Sequence, residues 1–147
     1  EGFKHYIQSV RVVEVLEKNG QGLNLTKEVR DGMMNHSTSR MPKTLEGKIV
    51  RLSDKIAYIN HDIDDAIRGR IITEEELPDR YTDVLGHDSK ERLNTLIHDV
   101  IDNSMDQPDI LMSSHVEEAM LGMRRYMFDH VYTNPKAKNQ ETKLRIC

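Results

Sequence analysis

Residues 44–69 read TLEGKIVRLSDKIAYINHDIDDAIRG, and their apolar positions have the spacing of one long helix. Seven of these positions follow one another at alternating steps of four and three, which places them on one narrow stripe of an α-helix. We expect this apolar seam to be buried against the core of the protein. It consists of Leu45, Ile49, Leu52, Ile56, Ile59, Ile63 and Ala66.

The opposite side of the same helix collects polar side chains into a second stripe, because successive residues lie about 100° apart. One interpretation is a solvated face, on which charged pairs three or four residues apart contribute roughly a few tenths of a kcal/mol each. Tyr58 fits that interpretation poorly, since a tyrosine ring is usually partly buried with its hydroxyl bonded. A binding face is therefore the alternative for this polar stripe, which comprises Arg51, Asp54, Lys55, Tyr58, Asp62 and Asp65.

Helical patterns fill the rest of the chain, and the alternation typical of strands never persists for more than a few residues. We therefore predict an all-α protein, a bundle of about six helices without a sheet. Apolar spacing predicts a first helix over residues 3–18, which Asn19 and Gly20 end. Further helix starts are predicted at Thr26, as N-cap of residues 27–36, at Thr73-x-x-Glu76, at Asp88-x-x-Glu91 and at Ser114-x-x-Glu117, with another helix after Pro135.

A methionine-rich stripe follows Ser114 at helical spacing. Flexible thioether side chains fill irregular gaps, so the stripe indicates an adaptable core or a subunit contact rather than a cofactor site. Its members are Val116, Ala119, Met120, Met123, Met127 and Val131.

The composition restricts the class of protein. With 147 residues, 31% of them charged and 37% hydrophobic, the chain has the size of a single globular domain. Its net charge of -4 comes from intermingled acidic and basic residues, so nucleic acid is not expected as a partner. No apolar run approaches the roughly 20 residues that cross a membrane. The single cysteine, Cys147, fits a reducing compartment, and we expect a cytoplasmic protein; self-association into a homo-oligomer stays open.

Three His-Asp dipeptides raise the question of a metal site, since imidazole and carboxylate groups both bind divalent metals. Dipeptides this short are weak signals. Asp88 is more simply a helix N-cap, and His98 and Asp99 are expected to be solvated beside an apolar stripe. A site formed wholly within the chain stays open, although no spacing enforces it; its candidate ligands are His36, His61, Asp62 and Asp102.

Three phrases of the sequence, taken in order, carry a family resemblance. They are GFKHYIQSVRVVE at 2–14, LTKEVRDGMMNHS at 25–37 and LEGKIVRLSDKIAYINHDIDDAIRG at 45–69. Together they resemble the deoxyguanosine triphosphate triphosphohydrolase-like family, in the superfamily of HD-domain phosphohydrolases. The most specific part is the pattern Asp-Lys-x-x-Tyr-x-x-x-Asp, formed by Asp54, Lys55, Tyr58 and Asp62.

The resemblance implies a role for each residue of that pattern. Asp54 would be a ligand of a divalent metal such as Mg or Mn, and Lys55 would neutralise phosphate. Tyr58 and Asp62 would contact the deoxyribose, and His5 would act as a catalytic imidazole near the scissile phosphate. The family's metal centre also takes a His and then a His-Asp pair from upstream positions, and no residues before Phe3 match them.

These features predict an internal fragment of a metal-dependent deoxynucleoside triphosphate triphosphohydrolase. The resemblance implies that the whole enzyme converts a dNTP, or dGTP, to deoxynucleoside and triphosphate, and that the fragment alone is inactive. We expect residues 1–70 to be the C-terminal part of an HD-type catalytic core and residues 71–147 to be a helical extension that is cut short at its end. The alternative is a non-catalytic helical module that binds a protein partner or a nucleotide for regulation.

Overall fold

A computed structural model describes residues 2–37 and 39–132 of the chain. Within these ranges the fold contains six α-helices of at least seven residues and no strand, and 72% of the described residues are helical. The prediction of an all-α protein is confirmed. The helices are α1 (His5–Arg11), α2 (Lys27–Asn35), α3 (Leu45–Arg68), α4 (Asp79–Leu85), α5 (Ser89–Ser104) and α6 (Ser114–Met127).

The first helix is shorter than predicted. It continues as a π-helical turn, Val12–Leu16, and then breaks, because Lys18 and Asn19 adopt left-handed backbone angles with φ of 51° and 56°. The start of α2 agrees with the prediction, since the hydroxyl of Thr26 accepts a hydrogen bond of 3.4 Å from the N–H of Val29. The bounds of α3 fall within one residue of those predicted.

The chain forms two compact units, Glu1–Lys55 and Ile56–Cys147, and the division falls inside α3. None of the described helices is long and apolar enough to cross a membrane. Cys147 and the helix predicted after Pro135 lie outside the described residues.

In the first unit, α1 packs against α2, and polar contacts hold the segment between them. Arg30 forms an ion pair of 2.5 Å with Glu14, and the N–H of Leu23 donates to the carbonyl of Val13 at 2.7 Å. Gly22 is buried with a φ of 72°, and a β-carbon there would lie 2.3 Å from the carbonyl oxygen of Glu14. Only glycine fits this turn.

In this unit α3 turns its glycine side inward. Gly47 is buried, and a β-carbon on it would lie 2.7 Å from Cβ of Pro42 and 3.5 Å from Cα of Gly32 in α2. Leu45 and Ile49 are 42% and 46% exposed. The prediction that the apolar seam is buried is therefore wrong for its first two members. Residues two apart on a helix point about 200° from each other, so burying Gly47 turns both of these side chains outward.

In the second unit the apolar seam of α3 is buried as predicted. Ile56, Ile59, Ile63 and Ala66 are at most 5% exposed. Helix α4 packs against α5 and α6. The methionine-rich stripe runs from α6 into the π-helical turn Phe128–Tyr132. It belongs to the core, because its members are all buried: Val116, Ala119, Met120, Met123, Met127 and Val131.

Two polar groups, the buried Arg92 and the half-buried Asp99, also organise the second unit. Arg92 of α5 is fully buried, and its guanidinium forms ion pairs with Glu74 and, at 3.9 Å, with Asp64. Asp99 accepts hydrogen bonds from the N–H of Ser113 at 2.9 Å and from its hydroxyl at 2.5 Å. The expectation that Asp99 is solvated is therefore wrong.

The helix starts of this unit follow the predictions. Thr73 and Glu76 form the predicted capping box, and Asp88 caps α5 by accepting a hydrogen bond of 2.8 Å from the N–H of Glu91. Helix α6 begins at Ser114 as predicted, and Ser113 precedes it as its N-cap.

Candidate active site

The first unit brings together the ends of two helices and the polar side of a third. His5 begins α1, and His36 and Ser37 follow the last residue of α2. Nε2 of His5 lies 3.2 Å from the hydroxyl oxygen of Ser37, within hydrogen-bonding distance. The rings of His5 and His36 meet edge to face, with 5.3 Å between centroids and 71° between planes. Two imidazoles and a hydroxyl therefore share one small region.

The imidazole of His36 has a fixed orientation. Its Nδ1 lies 2.7 Å from the carbonyl oxygen of Met33, one turn back in α2. A carbonyl oxygen only accepts hydrogen bonds, so Nδ1 carries the proton. When this ring is neutral, Nε2 is left as its acceptor nitrogen.

Arg51 joins α3 to the same region. One of its guanidinium nitrogens, Nη1, donates to the carbonyl oxygen of Asn35 at 2.8 Å and to that of His36 at 3.1 Å. The carbonyls at the end of a helix carry partial negative charge, so a cation there is favourable. Arg51 is half-buried, and the solvated interpretation of the polar stripe is wrong at this residue.

The predicted substrate-binding residues follow Arg51 along α3. Asp54 and Lys55 are half-buried, Tyr58 is 61% exposed, and Asp62 is half-buried. At a rise of about 1.5 Å per residue, Asp54 and Asp62 are separated by about 12 Å along the helix. Their roles stay predictions, as does that of His5.

The described residues do not form a metal centre by themselves. Within 2–37 and 39–132, no three side chains of His, Cys, Asp or Glu come together in a way that could hold a metal ion. A catalytic metal usually needs about three protein ligands, and Asp54 supplies a single carboxylate. The set proposed within the chain, which included His36, His61 and Asp102, is therefore not assembled.

Ser37 and Arg51 were not predicted as members of this region, and His36 was predicted only as a possible metal ligand. Ser37 and His36 stand in a phrase that carries the family resemblance, and Arg51 stands in the polar stripe. Spacing along α3 could have indicated Arg51, because it precedes Asp54 by three residues and so lies on the same side of the helix. The contact between His5 and Ser37 spans 32 residues and had no local signal.

Comparison with curated proteins finds relatives that match almost the whole chain. The chain is 54% identical over 144 residues to a protein of Caldanaerobacter subterraneus subsp. tengcongensis, a match that covers 98% of the chain. It is 45% identical over 154 residues to a protein of Clostridium perfringens and 42% identical over 156 residues to one of Clostridium tetani. All three are called deoxyguanosinetriphosphate triphosphohydrolase-like protein.

The chain is homologous to one part of these deoxyguanosinetriphosphate triphosphohydrolase-like proteins. It spans only 42% to 45% of the length of the three relatives. No family model matches it. The match with the first of these triphosphohydrolase-like proteins covers 98% of the chain, so it spans the positions of all five predicted site residues.

Proposed function

We propose that the whole protein to which this chain belongs hydrolyses a deoxynucleoside triphosphate to a deoxynucleoside and triphosphate. The observation that carries this proposal is the 54% identity, over 98% of the chain, to a deoxyguanosinetriphosphate triphosphohydrolase-like protein. The arrangement of the first unit supports it, because the unit holds His5 together with the part of α3 that carries Asp54 and Lys55.

The reaction adds water across the bond between the 5′ oxygen and the α-phosphorus. Water supplies the new oxygen on the triphosphate, and the departing 5′ oxygen takes up a proton. His5 is the group assigned to this proton, since an imidazole can donate or accept protons near neutral pH. Lys55 offsets phosphate charge, and Tyr58 and Asp62 hydrogen-bond the sugar further along α3.

A divalent metal belongs to this proposal through Asp54. The carboxylate of Asp54 would be one of its ligands. The other ligands would come from the part of the whole protein that corresponds to the unmatched part of the relatives. When bound, such a metal polarises phosphoryl oxygens and stabilises the developing charge.

The test compares two carboxylates of the same helix in the whole protein. Asp54→Asn should abolish release of triphosphate from dGTP and other dNTPs, and it should lower the content of bound metal. Asp65→Asn is the matched control, because Asp65 is exposed and its contact is an ion pair of 3.5 Å with Arg68. It should keep activity within about twofold of the unsubstituted protein.

The outcomes also separate the alternative function. Full turnover and metal content in Asp54→Asn would contradict the assignment of α3. Binding of a dNTP without any triphosphate release by the unsubstituted whole protein would favour the nucleotide-binding regulatory module instead. This chain on its own should release no triphosphate, because it lacks a complete set of metal ligands within its described residues.

A further inference from the structure

We propose that Arg51 is a positioning residue that sets the orientation of the His5 imidazole through Ser37. The inference rests on the proposed function in one respect, namely that His5 serves the reaction. Arg51 acts through the backbone, because it holds the segment that carries the partner of His5.

The first step is the hold of Arg51 on the end of α2. Its Nη1 donates to two successive carbonyls, those of Asn35 and His36. The second of these carbonyls belongs to the peptide that links His36 to Ser37. Because that peptide group is planar, fixing its oxygen also fixes the direction in which the chain enters Ser37.

The second step runs from Ser37 to His5. The hydroxyl of Ser37 lies 3.2 Å from Nε2 of His5, although both residues are exposed and 32 positions apart in sequence. An exposed imidazole at the first position of a helix would otherwise rotate freely. The hydroxyl and the edge of the His36 ring restrict that rotation, and both lie on the segment that Arg51 holds.

The third step concerns which ring nitrogen of His5 carries the proton and where that nitrogen points. A neutral imidazole carries its proton on only one nitrogen, and a hydrogen-bond partner at Nε2 biases which nitrogen that is. A proton at the wrong nitrogen cannot reach the departing oxygen, so the cost should fall on the catalytic step rather than on substrate binding.

The test of positioning uses nuclear magnetic resonance on this chain. The nitrogen-15 shifts of the two ring nitrogens of His5 report the tautomer of the neutral ring directly, and they are recorded in alkaline solution, where they no longer change with pH. Ser37→Ala and Arg51→Met should both change the tautomer ratio of His5. Arg51→Lys should remain closer to the unsubstituted chain, because one ammonium can still donate to the two carbonyls.

The control is Arg68→Met, since Arg68 lies on the same helix and is 77% exposed. It should leave the shifts of His5 unchanged. Unaltered shifts in a folded Arg51→Met variant would overturn the proposal. If Arg51→Met does not fold, Ser37→Ala and Arg51→Lys test the proposal in its place. An unchanged tautomer ratio of His5 in Ser37→Ala overturns the proposal as well.

A second measurement uses the whole protein and its turnover. Arg51→Met should lower kcat by at least about tenfold while KM for the dNTP stays within about twofold, and Arg51→Lys should restore part of the loss. A higher KM with normal kcat would instead make Arg51 a substrate-binding residue and overturn the proposal. Absence of activity in the unsubstituted protein would refute the proposed function alone, because the resonance experiment needs no turnover.

Discussion

The two units of this chain are stabilised in different ways. Every buried hydrophobic residue among the described positions lies in the second unit, from Ile56 to Val131. In the first unit the buried positions are Gly22, Asn35, Pro42 and Gly47, and ten large hydrophobic side chains are exposed. The second unit therefore has an apolar core, whereas the first relies on close backbone packing and polar contacts.

The difference separates stability from chemistry. The unit with the core contains the methionine-rich helix and a fully buried arginine, and it provides a stable scaffold. The unit without a core carries His5, His36 and Arg51. Polar groups that hold one another in place suit a reaction centre, but each contributes only about 1 kcal/mol of net stability.

The largest expected effect comes from truncating the same residue type in each unit. Ile63→Ala removes a side chain that is 0% exposed, so it should cost about 4 kcal/mol in the free energy of unfolding. Ile49→Ala lies on the same helix but is 46% exposed, and it should cost under about 1 kcal/mol. Urea denaturation measures both, and equal losses would show that the two parts of α3 do not differ in burial.

The buried arginine tests whether the second unit also depends on polar contacts. Arg92→Ala should cost about 3 kcal/mol, because it leaves Glu74 and Asp64 without their buried cation. The two carboxylates remain about one-third exposed, which keeps the loss at the low end of the usual range. Arg68→Ala serves as the exposed control and should change the free energy of unfolding by less than about 0.5 kcal/mol.

Two facing glycines test the packing of the first unit. Gly47→Ala should destabilise by about 1.5 kcal/mol, because the added carbon would lie 2.7 Å from Pro42. Gly32→Ala should be neutral or stabilising by up to about 1 kcal/mol, since its nearest contact is 3.6 Å and alanine favours a helix. Thermal unfolding followed by circular dichroism distinguishes them, and similar midpoints would contradict this account of the contact.

The smallest effect concerns Tyr126 of α6. Its hydroxyl donates to the carbonyl oxygen of Glu76 at 2.7 Å, so Tyr126→Phe should cost about 1 kcal/mol near neutral pH. Burial, and secondarily the charge of Glu76, raises the pKa of Tyr126 above its ordinary value. A raised pKa means that the folded state favours the protonated phenol. The contribution of this phenol to the free energy of unfolding is therefore complete below about pH 10, and it is lost as pH rises through the pKa of the folded state.

The difference in stability between the unsubstituted protein and the Tyr126→Phe variant should therefore shrink in alkaline solution. Urea denaturation of both proteins at pH 8 and at pH 11 measures this, because the other tyrosines are common to both. A gap that widens with pH would show that the sign of the pKa shift is wrong.

Much of the fold was predictable because its signals are local. Helix periodicity gave the bounds of α3, and capping residues such as Thr26 and Asp88 gave the starts of α2 and α5. The exposure of Leu45 and Ile49 could not be predicted, since their spacing along the helix matches that of the buried Ile56 and Ile63. The contact of Gly47 with Gly32 distinguishes the two pairs, and it forms only in the folded protein.

The candidate site was predictable only where a single helix orders its residues. The pattern from Asp54 to Asp62 could be read from spacing along α3. The contacts of Arg51 with the end of α2, and of Ser37 with His5, join distant positions and follow from tertiary packing.

The buried stripe of α3 in the second unit also restricts how the length of this helix can vary. Ile56 and Ile63 are both buried and seven positions apart, which places them within about 20° of each other around the axis. An insertion of one residue between them would turn one of the two side chains by about 100° and expose it. Seven residues make nearly two whole turns, so related sequences with a longer or shorter helix should differ here in steps of seven.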